Sequence, residues 1–94
     1  MLPISVIWDL DDEPEGNVQH IARNGVTKEE VEEVLDAHYG DYFFSREEPH
    51  NPITFGDTMT GKYIAVVFEV VEVDPPTVYP ITAYEAPVPR GQEG

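Results

Sequence analysis

Apolar and polar residues follow two rhythms along this chain, and the change between them divides it. Between Val18 and Leu35 the apolar positions recur at helical spacing; from Ile53 onward they follow strand spacing. In the segment "GNVQHIARNG", residues Val18, Ile21, Ala22 and Gly25 fall within about 100° of one another on a helix that begins near Glu15 to Asn17. Asn17, His20 and Asn24 form the adjoining polar stripe, with Arg23 further round. Asn17 is placed to act as an early cap, Asn24 stands at the helix end, and Gly25 fits the left-handed position that closes a helix. The next segment, "VTKEEVEEVLDAH", carries the strongest local signal. Thr27 and Glu30 form a capping box, and Val26 and Val31 stand where a hydrophobic staple clamps the entry. Val31, Val34, Leu35 and His38 give the inward face, while Glu32, Glu33 and Asp36 look outward.

The flanking segments read as sheet. "ISVIWDL" (Ile4 to Leu10) is a first strand with Trp8 in the core, and it stops at the turn "DDEPEG". "DYFFS" is a short strand or an aromatic loop, and "REEPHNP" interrupts the pattern with two prolines. "ITFGD" leads into a "TMTG" turn closing at Gly61. "KYIAVVFEVVEV" is apolar on both faces from Tyr63 to Phe68 and is expected at the centre of the sheet. "DPP" turns the chain into "TVYPITAYEA", where Pro80 marks an edge or a bulge. Thr82 and Tyr84 share a side there, opposite Ile81 and Ala83; if one side meets the helices, the other is either solvated or a binding surface. The expectation is an α+β fold of one domain in the order β-α-α-β-β-β. Two N-terminal helices pack on a twisted antiparallel sheet of three to four strands, with an ordered core over 4–86 and a flexible tail over 87–94.

Composition narrows the functional classes. Nineteen acids against five bases leave a net charge of -14, and thirteen of the acids lie within residues 1–48. Such a field repels phosphate backbones and favours basic partners. The chain has no cysteine, which excludes disulfides and thiolate metal sites and suits a reducing cytoplasm. No apolar run reaches the ~20 residues that span a bilayer, and the N-terminus lacks the basic start of a signal peptide. The expected location is cytoplasmic, with no membrane association.

Few residues suggest chemistry. An imidazole can move a proton near neutral pH, a guanidinium can hold a phosphate, and amides can orient a substrate. The stripe Asn17, His20, Arg23 and Asn24 is therefore the first place to look, although any amphipathic helix has a polar side. His20, His38 and His50 lie in three separate segments without the spacing of a zinc helix, so neither a metal nor any other cofactor is expected. There is no glycine-rich phosphate loop and no nucleophile motif.

Taken together, "WDLDDEPEGNVQHIARNGVTKEEVEEVL", "ITFGDTMTGKYIAVVFEV" and "VYPITAYEA" resemble the BrnT-like toxins, part of the RelE/ParE-like superfamily. The likeness rests on Trp8-Asp9, Asn17, Asn24-Gly25-Val26-Thr27, Gly61 with Val66-Val67, and Ile81-Thr82-Ala83-Tyr84, and covers roughly residues 6–86. It implies a RelE-like fold and a toxin–antitoxin setting, with a toxin that cleaves mRNA or blocks translation. On that reading His20 is the general acid or base, Arg23 and Lys62 clamp phosphate, and Tyr84 positions or stacks. Asn17, Asn24 and Thr82 contribute to binding. The partner is an antitoxin, and RNA is the substrate.

The chain departs from the family pattern where charge matters. Asn24 stands in place of the usual His, Tyr84-Glu85 where an Arg follows Ala, and "PVPRGQEG" where a basic segment closes the chain. His20, Arg23, Arg46 and Lys62 are left to steady charge on a phosphate. The alternative is a non-catalytic acidic module on the same fold that binds a basic protein. Whether the chain is an enzyme, and in what oligomeric state it acts, is not written in the sequence.

Overall fold

A computed structural model describes residues 4–38, 42–44 and 51–88. Residues 89–94 of the expected tail, and residues 46–50 of the interruption with Arg46 and His50, lie outside the described residues. The elements run β1 (Ser5–Val6), α1 (Asn17–Arg23), α2 (Lys28–His38), β2 (Phe43–Phe44), β3 (Pro52–Asp57), β4 (Tyr63–Glu72) and β5 (Thr77–Glu85). The protein is α+β, with two helices against one five-stranded mixed sheet of order β1-β5-β4-β3-β2.

Two expectations are corrected. The sheet has five strands rather than three to four, because "DYFFS" contributes the short edge β2, paired antiparallel with β3 through Phe43–Ile53 and Phe44–Pro52. The sheet is also not wholly antiparallel, since β1 runs parallel to β5. A tight turn forces antiparallel pairing on β3, β4 and β5. β1 reaches β5 only after the rest of the chain has intervened, so no turn fixes its direction. The first strand is shorter than Ile4 to Leu10, with two further ties outside the helices and hairpins: Ser5 N–H donates to Pro76 O at 2.8 Å and Ile7 N–H to Val78 O at 2.9 Å.

The core lies between the helices and one face of the sheet. Ile21, Val26, Val31, Val34 and Leu35 from the helical segment meet Ile64, Val66, Phe68, Val78 and Ala83, with Trp8 partly buried at the margin. β4 is central, between β3 and β5. Pro80 sits at a bulge: Val67 pairs with Thr82 and Phe68 with Pro80, leaving Ile81 without a cross-strand partner. Ile81 is thus exposed while Ala83 is buried, so the two do not share an environment as simple alternation implies. Thr82 and Tyr84 do share a face, opposite Val67 and Ala65.

The helix junction follows from three residues. Val26 N–H donates to Ile21 O and Gly25 N–H to Ala22 O, both at 3.0 Å, with Val26 and Ile21 buried against the core. That is a Schellman closure, and it puts Gly25 at φ +80. A Cβ added at Gly25 would meet nothing within 4 Å, so only the backbone conformation resists a side chain there. Gly25→Ala is therefore expected to lower the unfolding free energy by about 1 kcal/mol, measured by urea denaturation. Unchanged stability would mean that the left-handed turn is not required.

Candidate functional site

The seam between α1 and β5 holds most of the residues that the sequence singles out. β1 covers only the first part of the outer edge of β5. Beyond it, the strand presents backbone carbonyls that need donors. Asn17 Nδ2 donates to Pro80 O at 3.0 Å and to Ile7 O at 3.1 Å, and Asn24 Nδ2 donates to Ala83 O at 3.0 Å and Thr82 Oγ1 at 3.4 Å. The two carbonyls are three residues apart yet point the same way, because the bulge at Ile81 inserts one residue. Pro80 is tolerated for the same reason. The nitrogen and carbonyl of one strand residue share a side, so the donor that Pro80 lacks faces this outer edge and not the ladder with β4.

Asn17 is not the helix cap that the sequence suggests. Gly16 occupies that position without a side-chain bond, and Asn17 is buried, also accepting from Asp9 N–H at 2.9 Å. Ala22, expected in the core, is exposed. Both shifts have one cause. The line of α1 that meets the sheet is Asn17, Ile21 and Asn24, at i, i+4 and i+7, because the surface opposite is partly a strand edge. His20 stands exposed on the same helix. Arg23 turns the other way, its guanidinium donating to Pro14 O at 2.6 Å.

Lys62 belongs to a second cluster, at the start of α2. Its ammonium donates to Gly25 O at 2.6 Å and pairs with Glu30 Oε1 at 3.2 Å. Glu30, 4% exposed, also accepts from Thr27 N–H at 3.0 Å and from the Thr60 hydroxyl, and Thr27 Oγ1 accepts from Glu30 N–H at 3.2 Å. The capping box is therefore present as expected, and its glutamate is shared with the β3–β4 turn. Burial pushes the Glu30 carboxyl up, but the bonds from Thr60, Thr27 and Lys62 outweigh it and hold the group below its usual value. Glu32 and Glu33 do not simply face outward. Glu32 accepts from the Trp8 indole at 2.9 Å, and Glu33 accepts from Met59 N–H at 2.9 Å. Among the inward residues of α2, the His38 ring packs over Gly56 of β3.

A third cluster was not legible in the sequence. Tyr79 Oη donates to Asp9 Oδ2 at 2.6 Å, and Asn17 N–H donates to the same oxygen at 2.9 Å. The Tyr79 bond, then the Asn17 amide, hold Asp9 below the ordinary carboxylate range, and the same contact raises Tyr79. Signs follow from linkage. Asp9 and Glu30 contribute stability above their unfolded values of 3.8 and 4.5, and it is lost as pH falls through their folded values. Tyr79 contributes below its unfolded value of 10.0, and this is lost as pH rises through its folded value. Urea midpoints measured across pH are expected to show an alkaline decline that Tyr79→Phe removes; an unchanged decline in that variant would assign it elsewhere.

The sequence-selected residues do not converge on one point. Asn17, Asn24 and Thr82 meet at the α1–β5 seam, Arg23 turns to the Pro14 loop, and Lys62 turns to the helix side of the sheet. Tyr84, 40% exposed, lies on the opposite face. Among the described residues, Lys62 is paired with Glu30 and Lys28 with Asp11 at 3.0 Å, while Arg23, exposed, donates to Pro14 O. No grouping of His, Asp and Glu among the described residues could hold a metal ion, and no helix there is long and apolar enough to cross a membrane.

The face of the sheet away from the helices has an apolar, aromatic middle. Register places Phe43, Ile53, Phe55, Tyr63, Ala65, Val67, Thr82 and Tyr84 on it. Ala65 is fully buried although it lies outside the helix-side core. Phe55 and Tyr84 are its cross-strand partners, and the Phe55 ring stacks on Tyr63 with centroids 6.1 Å apart and planes at 13°. The rings thus form a plate over Ala65. Comparison with protein-family models, curated proteins and solved structures finds no match for this chain.

Proposed function

We propose that the chain is an acidic, non-catalytic interaction module that binds a basic protein, built on a scaffold of the BrnT-like, RelE-like kind. The observation that carries the reading is the use of its cations. Among the described residues Lys28 and Lys62 are paired with carboxylates and the exposed Arg23 donates to Pro14 O, whereas Asp12, Glu13, Glu15, Glu29, Asp36, Asp57, Glu69, Glu72, Asp74 and Glu85 are all exposed. A protein that steadies charge on phosphate needs cations at the point of reaction. A protein that attracts a basic partner needs the opposite. The strand-helix-helix order followed by a meander supports the scaffold, and an antitoxin-like DNA-binding protein has the partner's chemistry.

The test is capture of purified basic proteins on immobilised chain at low ionic strength, with release expected by roughly 0.5 M salt, where the screening length is only a few ångströms. Recovery of no basic protein above background sinks the reading. RNA incubated with stoichiometric protein is expected to stay intact. Cleavage that disappears in His20→Ala would restore the ribonuclease reading, with His20, Arg23, Lys62 and Tyr84 in the roles given above.

A further inference from the structure

We propose that the aromatic face of the sheet is where the basic partner docks, and that its occupant is an extended arginine-rich segment of that partner; this rests on the reading above. Three observations select the occupant. First, the face carries aromatic rings, and among the described residues no helix lies over it. Tyr84 is 40% exposed and Phe43 67% exposed, while Phe55 and Tyr63 form the stacked centre. Second, every charge that register places on this face is negative. Asp57 lies opposite Tyr63, and Glu69 lies two residues beyond Val67 on β4; both are exposed. Lys62, next to Tyr63 in the chain, is turned to the other side and held by Glu30.

Third, the spacing suits an extended chain. From Tyr63 to Glu69 along β4 the distance is about 20 Å, at about 3.3 Å per residue. Carboxylates therefore bracket the ring plate at both ends, at the separation of residues about six apart in an extended peptide. A guanidinium is planar and weakly hydrated, so it can lie on an aromatic ring while its edge donates to a carboxylate. A lysine ammonium carries the same charge but is more strongly hydrated and makes the ring contact less well. A second copy of this acidic chain would bring like charge to the same margins, which disfavours self-association here.

The experiment is fluorescence anisotropy at low salt with labelled peptides of about a dozen residues, one alternating Arg and Ala and one alternating Lys and Ala. The Arg peptide is expected to bind about fivefold more tightly than the Lys peptide of equal charge. Tyr84→Ala should remove most of that preference, and because Tyr84 lies outside the core the variant should remain folded. Phe55→Leu, which keeps an apolar residue over Ala65, should act in the same direction. Equal affinity for the two peptides overturns the inference but leaves the basic-partner reading standing. So does binding unaffected by both face variants but abolished by neutralising Asp11, Asp12 and Glu13. Failure of both peptides to bind removes the face and the reading together, and preferential binding of a labelled uridine oligonucleotide overturns both in favour of RNA.

Discussion

Asn17→Ala is expected to lower the unfolding free energy by about 3 kcal/mol, among the largest effects of any single side chain on α1. The truncation leaves Pro80 O and Ile7 O without a donor and Asp9 N–H without an acceptor, at a position 3% exposed where water has little access. Each orphaned group costs roughly 1–3 kcal/mol, and the better helix propensity of Ala returns only some tenths. Asn17→Asp should be no milder. It keeps an acceptor for Asp9 N–H but loses both donated bonds and sets a second carboxylate beside Asp9. The comparison is His20→Ala, exposed on the same helix and expected within about 0.5 kcal/mol of the parent. Urea denaturation followed by fluorescence of Trp8, the single tryptophan, reads all three. If Asn17→Ala is as benign as His20→Ala, the asparagine does not hold α1 to the sheet edge.

That contrast shows where the sequence is readable. The 3.6 rhythm and the capping box gave α2 nearly to the residue, because Val31, Val34 and Leu35 meet apolar side chains and polarity there reports burial directly. The run from Tyr63 to Phe68, apolar on both faces, and the Gly61 turn likewise placed β4 at the centre and β3 beside it. The α1 stripe misleads because its contact surface is a strand edge. Backbone carbonyls ask for amide donors, so Asn17 is polar and yet buried and Asn24 turns to the strand edge from the surface, while Ala22 is apolar and exposed. No local pattern distinguishes such an asparagine from a solvated one. The parallel direction of β1 was hidden for a related reason: it depends on a long-range pairing with Thr77 and Val78 that no turn encodes. Asp9 with Tyr79 is equally non-local, 70 residues apart. The aromatic face was half visible. Thr82 and Tyr84 were placed on a common side, but Phe55 and Tyr63 joined them only once the register was known.

Glu30→Ala should cost about 3 kcal/mol, and here the effect separates a scaffold from a phosphate site. The substitution removes the acceptor for Thr27 N–H, the partner of the Thr60 hydroxyl and the counter-charge of Lys62 in one step. A buried pair broken on one side typically loses 3–5 kcal/mol; the lower end applies because the Lys62 side chain is 30% exposed and can reach water. Lys62→Met should cost less, about 1 kcal/mol, since Glu30 keeps its bonds from Thr27 and Thr60. The double variant should then be less than additive by about 1 kcal/mol. The Lys28–Asp11 pair, with Asp11 76% exposed, is the control: Asp11→Ala should change stability by under about 0.5 kcal/mol, and less still in high salt. A Lys62 held in reserve for phosphate would behave differently. Its removal would leave stability unchanged, and Glu30→Ala and Lys62→Met would add independently. Non-additivity in the predicted sense therefore ties the ammonium to Glu30 in the fold, and removes Lys62 as a free phosphate clamp.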